Sequence, residues 1–314
     1  MCRHRDRVKM NAFASTTGDN STVPFSAPYF TGLFNPRLID PITSSLDNQP
    51  MRASPWQRRI KRAEYLANQY SFAAEILRFY AGIARFQEDL YGRLEAEAEN
   101  LPSAQYPSGP PELQALINGF SPFLSAVEKN GPARLAEIAR ELRGSSRESW
   151  SQLLDESWST TESANAAEEF LARAFLQPYA ELLRLRGGIT FEDYNHSLCP
   201  FCSRKAGLGV LRQQGDGGRR SLVCSFCLAE WEFRRILCPG CGEENNSKLP
   251  VYTASDFDYV RVECCDTCKT YIKSVDLTRN GLAEPMIDEM AAAPLDVWAQ
   301  QHGYSKLQLN LLGM

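Results

Sequence analysis

The fold is decided by four Cys-x-x-Cys pairs: Cys199-Pro200-Phe201-Cys202, Cys224-Ser225-Phe226-Cys227, Cys238-Pro239-Gly240-Cys241 and Cys265-Asp266-Thr267-Cys268. A two-residue spacer lets a tight turn direct both sulfur atoms at one point, and two such turns supply the four thiolates of a tetrahedral metal site. Cysteines that merely pack in a core do not recur in this rhythm. The pairs therefore predict eight metal ligands: Cys199, Cys202, Cys224, Cys227, Cys238, Cys241, Cys265 and Cys268.

The spacing between the pairs indicates an internal repeat. Residues 203–223 separate the first two pairs, and residues 242–264 separate the last two. This similarity predicts two sites of ribbon or rubredoxin type, the first formed by the pairs at 199 and 224 and the second by those at 238 and 265. Interleaved pairing of the two halves is the alternative.

The ligand type limits the metal and its chemistry. Four thiolates exclude magnesium and calcium and suit zinc and iron equally. A four-cysteine site has no open coordination position, so hydrolytic metal chemistry is not expected. The metals should instead stabilise a small, glycine-rich module.

The remaining reactive residues form no recognisable active site. Cys264 lies outside the rhythm and is interpreted as a buried thiol, with a ligand or reactive role as the alternative. His4, His196 and His302 are scattered along the chain. No metalloprotease, nucleophile-elbow or phosphate-loop motif occurs. We therefore predict no catalytic and no cofactor-binding residues, and a protein that is not an enzyme.

Composition indicates a water-soluble chain that remains in the cytoplasm. The 314 residues favour two units, and 43% hydrophobic residues without a long apolar run predict no membrane insertion. Nine of the ten cysteines fall within residues 199–268 of a chain without an export signal, which favours metal ligands over disulfides. The net charge of −4 gives no reason to expect nucleic-acid binding. No feature of the sequence indicates an oligomeric state.

Residues 51–188 are predicted to form an all-helical domain after an irregular N-terminal arm at 1–50. Ser54, Pro55 and Gln57 have the pattern of a helix start with a capping box. Apolar residues then recur at three and four positions, which predicts one long helix to about Glu99. The proline-rich residues 101–111 should end it.

Further helical segments are predicted after Pro111, Ser121-Pro122 and Gly131-Pro132, and over 146–157 and 161–186, with a kink at Pro178. The aromatic and alanine stripes of these helices are interpreted as packing core. After Gly188 the sequence changes to β-branched, aromatic and glycine residues.

Short strands are predicted over 207–212, 220–223, 230–235, 249–252, 259–263 and 270–275. They belong to the tandem four-cysteine module at 189–280, and a tail at 281–314 contains a helix over 285–301. The fold class is α+β: a helical N-terminal domain, a small β-rich module with two rubredoxin-like or zinc-ribbon-like metal sites, and a short C-terminal helix.

The residues also resemble those of a known family, the bacterial formate dehydrogenase accessory proteins of the FdhE type. The likeness is most specific in Cys199-Pro200-x-Cys202, in the run from Cys224 through Glu230-Trp231 and Arg235 to Cys241, in Cys265-x-x-Cys268-x-Thr270-Tyr271, and in Leu295-Asp296 with Gly303-Tyr304. It is looser over Arg62–Ala67 and Phe79–Gln87. Two departures are Ser203, where the family often has glycine, and the additional Cys264.

The resemblance implies a cytoplasmic maturation factor that binds the catalytic subunit of respiratory formate dehydrogenase and is needed for its active form. It also implies rubredoxin-like iron, in preference to zinc, at two sites per chain, and raises the hypothesis of a redox role. The alternative function is a zinc-ribbon module that binds nucleic acid or other proteins. Near-balance of Lys and Arg with Asp and Glu over residues 199–275 argues against the nucleic-acid alternative.

Overall fold

Apart from a short strand at residues 8–10, helices precede the β-sheet along this chain. A computed structural model describes residues 8–10, 54–97, 113–159, 165–187, 191, 194–215 and 217–314. Helices are followed by a sheet region with two four-cysteine clusters and by short C-terminal helices, which confirms the predicted α+β class. The predicted proline-rich stop at 101–111, His4, and the N-terminal arm apart from residues 8–10 lie outside the described residues.

The N-terminal region is a bundle of helices around a shared apolar core. Its described helices are α1 (Pro55–Gln69), α2 (Ala74–Ala96), α3 (Leu113–Asn130), α4 (Ala133–Arg143), α5 (Arg147–Ser159) and α6 (Ala166–Arg186). Ser54 caps α1 as predicted, because its Oγ accepts a hydrogen bond of 3.0 Å from the Gln57 N–H. The Gln57 side chain does not close the capping box and instead donates to Glu88 on α2.

The prediction of one long helix from residue 54 to about Glu99 was wrong. Tyr70 ends α1 in an extended conformation, with φ −118° and ψ 96°, and a short 3₁₀ turn at Ser71–Ala73 leads into α2. The apolar spacing continues through this turn, so periodicity alone could not locate it. A single helix of that length would extend for about 65–70 Å and leave its apolar face without a partner. Folding back lets α1 and α2 cover each other.

Pro122 does not start a helix, contrary to the prediction, but lies inside α3. A proline in a helix interior costs about 3 kcal/mol, because one backbone hydrogen bond is lost and the ring crowds the preceding turn. The α3 side chains on both sides of it, Ile117, Phe120, Phe123 and Leu124, are at most 1% exposed. Burial of four such side chains outweighs that cost. Pro178 also lies within a helix, α6.

The six predicted strands are confirmed and, together with two short strands at 8–10 and 305–306 that were not predicted, form one sheet. The strands are β1 (Val8–Met10), β2 (Ala206–Gln214), β3 (Gly217–Cys224), β4 (Glu230–Glu232), β5 (Val251–Ala254), β6 (Phe257–Cys265), β7 (Thr270–Asp276) and β8 (Ser305–Lys306). Their order is β1-β5-β6-β7-β2-β3-β4, and β8 also pairs with β7. Helices α7 (Pro285–Ala291) and α8 (Ala293–Gln301) follow the sheet and confirm the helical tail.

The sheet contains the internal repeat that the cysteine spacing predicts. In each half, a Cys-x-x-Cys pair precedes an antiparallel hairpin, the second pair begins at the end of that hairpin, and a third strand follows. The hairpins are β2–β3 and β5–β6, and the third strands are β4 and β7. Parallel pairing of β2 with β7 joins the halves, with Gly209 opposite Ser274.

Gly209 is required where the two halves meet. A Cβ atom at this position would strike the Ser274 hydroxyl and lie 3.2 Å from the Ser274 Cβ. Replacing Gly209 by Ala is therefore expected to lower the free energy of unfolding by about 1–3 kcal/mol, as overpacking in a buried sheet does. Calorimetric melting of the metal-loaded protein measures this loss.

The Ser274→Ala variant is the matched control for that substitution. The Ser274 hydroxyl is buried and has no hydrogen-bond partner among the described residues, so its removal should cost little. In the double variant, the Gly209→Ala cost should shrink, because the closest obstacle to the new methyl group is gone. If Gly209→Ala lowered the free energy of unfolding equally in the presence and absence of the Ser274 hydroxyl, a clash between these two residues would not be the cause.

Two cores organise the molecule. The larger one joins the helices to the first half of the sheet and includes Leu77 and Phe175 together with Phe226 and Trp231. The smaller one lies between β6, β7 and α8. The first half of the sheet is therefore packed directly against the helical bundle. Among the described helices, none combines the length and the apolar character needed to cross a bilayer.

Candidate metal centres

The first centre brings together Cys199, Cys202, Cys224 and Cys227. Their sulfur atoms all lie within 4.8 Å of one another. The distance is 3.5 Å between the sulfurs of Cys199 and Cys227, and 3.3 Å between those of Cys202 and Cys224. All four residues are at most 5% exposed. This cluster is enclosed by protein on every side.

The second centre brings together Cys238, Cys241, Cys265 and Cys268, again within 4.8 Å. The sulfurs of Cys238 and Cys268 are 3.7 Å apart, as are those of Cys241 and Cys265. Cys241 is exposed and Cys268 is half-buried, whereas the other two are buried. The structure thus groups the pairs sequentially and does not interleave them.

Both clusters have the dimensions of a tetrahedral thiolate site. Metal–sulfur bonds of about 2.3 Å place the sulfurs of a tetrahedron about 3.8 Å apart. The distances of 3.3–3.7 Å approach this value, whereas a disulfide requires about 2.05 Å. The eight cysteines could therefore hold two metal ions. Thiolate ligands alone are compatible with zinc and with iron.

A common turn presents the sulfur atoms in all four pairs. In three of them, the N–H four residues after the first cysteine donates to that cysteine's carbonyl, as from Ser203 to Cys199 at 2.9 Å. Backbone N–H groups inside the turns point at sulfur, as from Phe226 to Cys224 at 3.4 Å and from Gly240 to Cys238 at 3.3 Å. These donors favour the ionised thiolate that a metal requires.

The residue after each pair has a positive φ, which a turn of this kind needs to leave the cysteine loop. The four residues are Ser203 (56°), Leu228 (54°), Gly242 (78°) and Lys269 (55°). They include every described non-glycine residue with positive φ. Only one of the four is glycine, so the sequence contains a local signal for this conformation at one position. Ser203, which stands where the FdhE family often has glycine, is one of the three non-glycine residues.

Replacing Ser203 by Gly is expected to stabilise the protein. The side chain is exposed, and a left-handed conformation costs an L-residue roughly 1–2 kcal/mol. Glycine avoids that cost but has more freedom to lose on folding, which leaves a net gain of roughly 0.5–1 kcal/mol. Ser203→Ala keeps the Cβ atom and is the matched control. Calorimetry should show a higher melting temperature for the glycine variant only; a gain in both variants would point to another cause.

Helix α6 holds the second turn of the first centre through three successive carbonyl groups. Arg173 donates to the Ser225 carbonyl at 3.1 Å, Gln177 to the Phe226 carbonyl at 3.2 Å, and Arg184 to the Cys227 carbonyl at 3.0 Å. Sequence reasoning missed these residues. The available signal was weak, because α6 contains several other charged side chains that do not contact the centre.

Phe226 anchors the same turn in the helical bundle. Its ring is fully buried, lies 5.6 Å from the Trp158 ring in an edge-on arrangement, and is covered by the Arg204 guanidinium at 3.9 Å. Arg204 also donates to the Trp158 carbonyl at 3.0 Å. The turn is thus clamped between α5 and α6.

Two buried arginines, Arg173 and Arg204, lie beside the second turn of the first centre. Burial and the neighbouring Arg204 lower the pKa of Arg173, whereas Glu169 and, less strongly, Cys224 and Cys202 act in the opposite direction. Four thiolates around a divalent ion carry a net charge of about −2. The two buried arginines would offset that charge in a region where water cannot.

The thiols of the second centre have shifted pKa values. Burial opposes ionisation of Cys268, but hydrogen bonding from Thr270, whose Oγ1 lies 3.0 Å from the sulfur, contributes to lowering the pKa of this thiol to about 7. Burial raises the pKa of Cys238 to about 12. A metal ion would override such differences, because coordination deprotonates the thiol.

Comparisons with family models, with individual proteins and with solved structures all match FdhE proteins. The FdhE central-domain model matches residues 198–235, and the FdhE C-terminal-domain model matches residues 236–312. A protein FdhE homolog of Aquifex aeolicus is 26% identical over 270 residues, covering 81% of this chain and 94% of that protein. FdhE of Escherichia coli K12 is 28% identical over 83% of this chain and 88% of its own length. The crystal structure of the FdhE protein from Pseudomonas aeruginosa matches with a TM-score of 0.60 at 26% identity, covering 84% of this chain and 97% of that one.

The resemblance to the FdhE family is therefore confirmed: two FdhE domain models match residues 198–312, and FdhE proteins match more than four-fifths of the chain. The boundary between the two FdhE domain models, at residues 235 and 236, falls between the two centres. Each FdhE domain model therefore contains one complete four-cysteine cluster.

Several residues that carry the FdhE resemblance are structural. Trp231 and Tyr271 are buried, and their polar atoms are satisfied inside the protein: the Trp231 indole donates to the His196 carbonyl at 3.0 Å, and Tyr271 donates to Asp296 at 2.8 Å. They therefore support the module itself.

Cys264 and the two described histidines lie outside both clusters. Cys264 is buried in the smaller core, where burial raises its pKa. His196 is exposed. His302 stacks on Trp298, with ring centroids 4.2 Å apart. The interpretation of Cys264 as a buried thiol agrees with this placement.

Proposed function

We propose that this chain is an accessory factor that binds the catalytic subunit of respiratory formate dehydrogenase in the cytoplasm and assists formation of its active form. The observation that carries the proposal is a match to FdhE proteins over more than four-fifths of the chain, with both four-cysteine clusters inside the matched residues. The formate dehydrogenase role follows from the family resemblance.

The eight cysteines are proposed to bind two metal ions, and the family resemblance favours iron over zinc. The sulfur spacing and the N–H donors support ligation. Anaerobic purification followed by metal analysis and visible spectroscopy tests the assignment. Two iron ions per chain, with thiolate-to-ferric absorption on oxidation, are expected. Two zinc ions would retain the centres but remove the redox hypothesis, because zinc has no accessible redox chemistry.

The complete set of four thiolate ligands at each centre favours a binding role over catalysis. Four protein thiolates leave no position for a substrate or an activated water molecule. The first cluster is also buried, so no substrate reaches it. We therefore propose that the protein acts by docking and not by turnover.

The nucleic-acid alternative is disfavoured by the pairing of the module's arginines. Phosphate recognition needs cationic side chains that are available on one face. Here four arginines are engaged by carboxylates, in the pairs Arg212–Glu230, Arg220–Glu263, Arg234–Glu244 and Arg261–Asp276. Their charge is already compensated within the protein.

Co-purification tests the docking proposal. The full-length, metal-loaded protein is mixed without oxygen with tagged catalytic subunit of a respiratory formate dehydrogenase, and the complex is resolved by size-exclusion chromatography. Co-elution is expected. The Cys264→Ser variant, which leaves both clusters intact, is the matched control and should co-elute equally. Separate elution of a wild-type protein that contains both metals would overturn the proposal.

A further inference from the structure

The two centres differ most in their access to solvent. Every ligand of the first centre is buried, and so are Ser225 and Phe226, the two residues inside its second turn. In the second centre, Cys241 is exposed, as are Gly240 and Gly242 on either side of it. One edge of the second cluster therefore faces water.

The first centre is also tied more tightly to the rest of the fold. Helix α6 donates to three successive carbonyls of its second turn, and Phe226 fills the bundle core. Any movement that frees a sulfur of this second turn must break these contacts. The turn that carries Cys241 lies at the surface, so the second centre can open by a small local motion.

We propose that the second centre is the metal-exchange site of the protein, with Cys241 as the ligand that leaves and returns, while the first centre retains its metal as part of the fold. This inference rests on the proposed occupancy of both clusters. The incoming ligand is a thiolate or a nitrogen-donor chelator that approaches from the solvent side.

The exchange is a ligand substitution without electron transfer. The lone pair of the incoming donor forms a bond to the metal, the bond to the Cys241 sulfur breaks, and the released thiolate takes a proton from water. Cys241 and both neighbouring glycines are exposed, so the sulfur can be approached from the solvent side. Cys238 and Cys265 are buried and would be displaced later.

Metal transfer to a chromophoric chelator measures the difference. The full-length protein, loaded with two zinc ions, is mixed with excess 4-(2-pyridylazo)resorcinol, and zinc release is followed by absorbance. Two phases are expected, each of one equivalent, with the fast phase about tenfold or more quicker than the slow one. A single phase of two equivalents would overturn the proposal.

Alkylation identifies the centre that opens first. Iodoacetamide is added at the end of the fast phase, and the modified peptides are identified by mass spectrometry. Label is expected at the second centre, on Cys238, Cys241, Cys265 and Cys268. Label at the first centre in that interval would reverse the assignment. A protein that binds no zinc would refute the proposed occupancy, which distinguishes that failure from failure of the exchange proposal.

A pair of variants on one helix tests why the first centre is slow. Arg184→Met removes the donor to the Cys227 carbonyl and should accelerate the slow phase several-fold while leaving the fast phase unchanged. Arg186→Met, an exposed position two residues further along the helix, should change neither phase. Acceleration of the fast phase by Arg184→Met would contradict the assignment of the slow phase to the first centre.

Discussion

Replacing Cys224 by Ser is expected to release one of the two metal ions and to lower the melting temperature by at least about 10 °C. Structural tetrathiolate sites contribute folding free energy directly, on the order of 10 kcal/mol for an isolated zinc module. That value is comparable with the entire stability of a typical protein. Serine is a poor ligand for a soft metal ion, so most of this contribution is lost with the sulfur.

The effect of this substitution should extend into the helical bundle. Cys224 begins the turn that contains Phe226, and the Phe226 ring belongs to the same core as the helix residues Leu77 and Phe175. Loss of the metal loosens the turn, and α6 loses its partners at three carbonyls. Far-ultraviolet circular dichroism should therefore report helix loss at the temperature of metal release.

Cys264→Ser is the control for the loss of a buried thiol that is not a proposed ligand. Cys264 is 3% exposed and packs in the smaller core, so its replacement should cost about 1–3 kcal/mol and leave two metals in place. Metal analysis and calorimetry on both variants make the comparison. A Cys224→Ser protein that retained two metals and the melting temperature of the wild type would refute the ligand assignment.

The cysteine turns could be predicted from the sequence because each turn is determined by residues that are adjacent in the chain. A Cys-x-x-Cys spacing indicates the geometry of one turn, and two similar intervals favour sequential over interleaved pairing of the turns. The same holds for the strands, where β-branched residues lie between glycine and turn signals. The structure groups Cys199 with Cys227 and Cys238 with Cys268, which is the sequential pairing that these spacings favoured.

What the sequence could not predict depends on contacts between distant segments. The break at Tyr70 preserves the apolar period, and the helix through Pro122 is favoured by burial on both of its sides. The contacts from α6 to the first centre join side chains to backbone carbonyls about fifty residues away, such as Arg173 to Ser225. Every residue has a backbone carbonyl, so the amino-acid sequence contains no motif that marks which carbonyl accepts such a hydrogen bond.

A buried charge network in the C-terminal region gives the second large prediction. Lys273 on β7 lies 3.0 Å from Glu289 on α7 and 2.6 Å from Asp296 on α8. Lys306 bonds to the same Glu289, and Asn310 donates to it at 2.8 Å. The side chains of both lysines and both acids are at most 7% exposed. Two positive and two negative charges thus balance inside the protein.

Replacing Glu289 by Gln is expected to lower the free energy of unfolding by about 3–5 kcal/mol, because it leaves two buried ammonium groups with one carboxylate. Glu137→Gln is the matched control: its partner Arg134 is 79% exposed, so that pair should contribute less than about 1 kcal/mol. Denaturant unfolding of the metal-loaded proteins measures both. Equal, small losses would show that the network is not a source of stability.

The pH dependence of the Glu289→Gln effect provides an independent check. Burial opposes ionisation, but the charges of Lys273 and Lys306 outweigh it and lower the pKa of Glu289 to about 2. A lowered pKa means that the carboxylate stabilises the fold fully above its ordinary value of 4.5 and loses this contribution as the pH falls towards 2. The stability difference between wild type and Glu289→Gln should therefore stay constant from about pH 7 to pH 5 and shrink only below that range. A difference that already disappears near pH 6 would mean that Glu289 is not held as an anion by the two lysines.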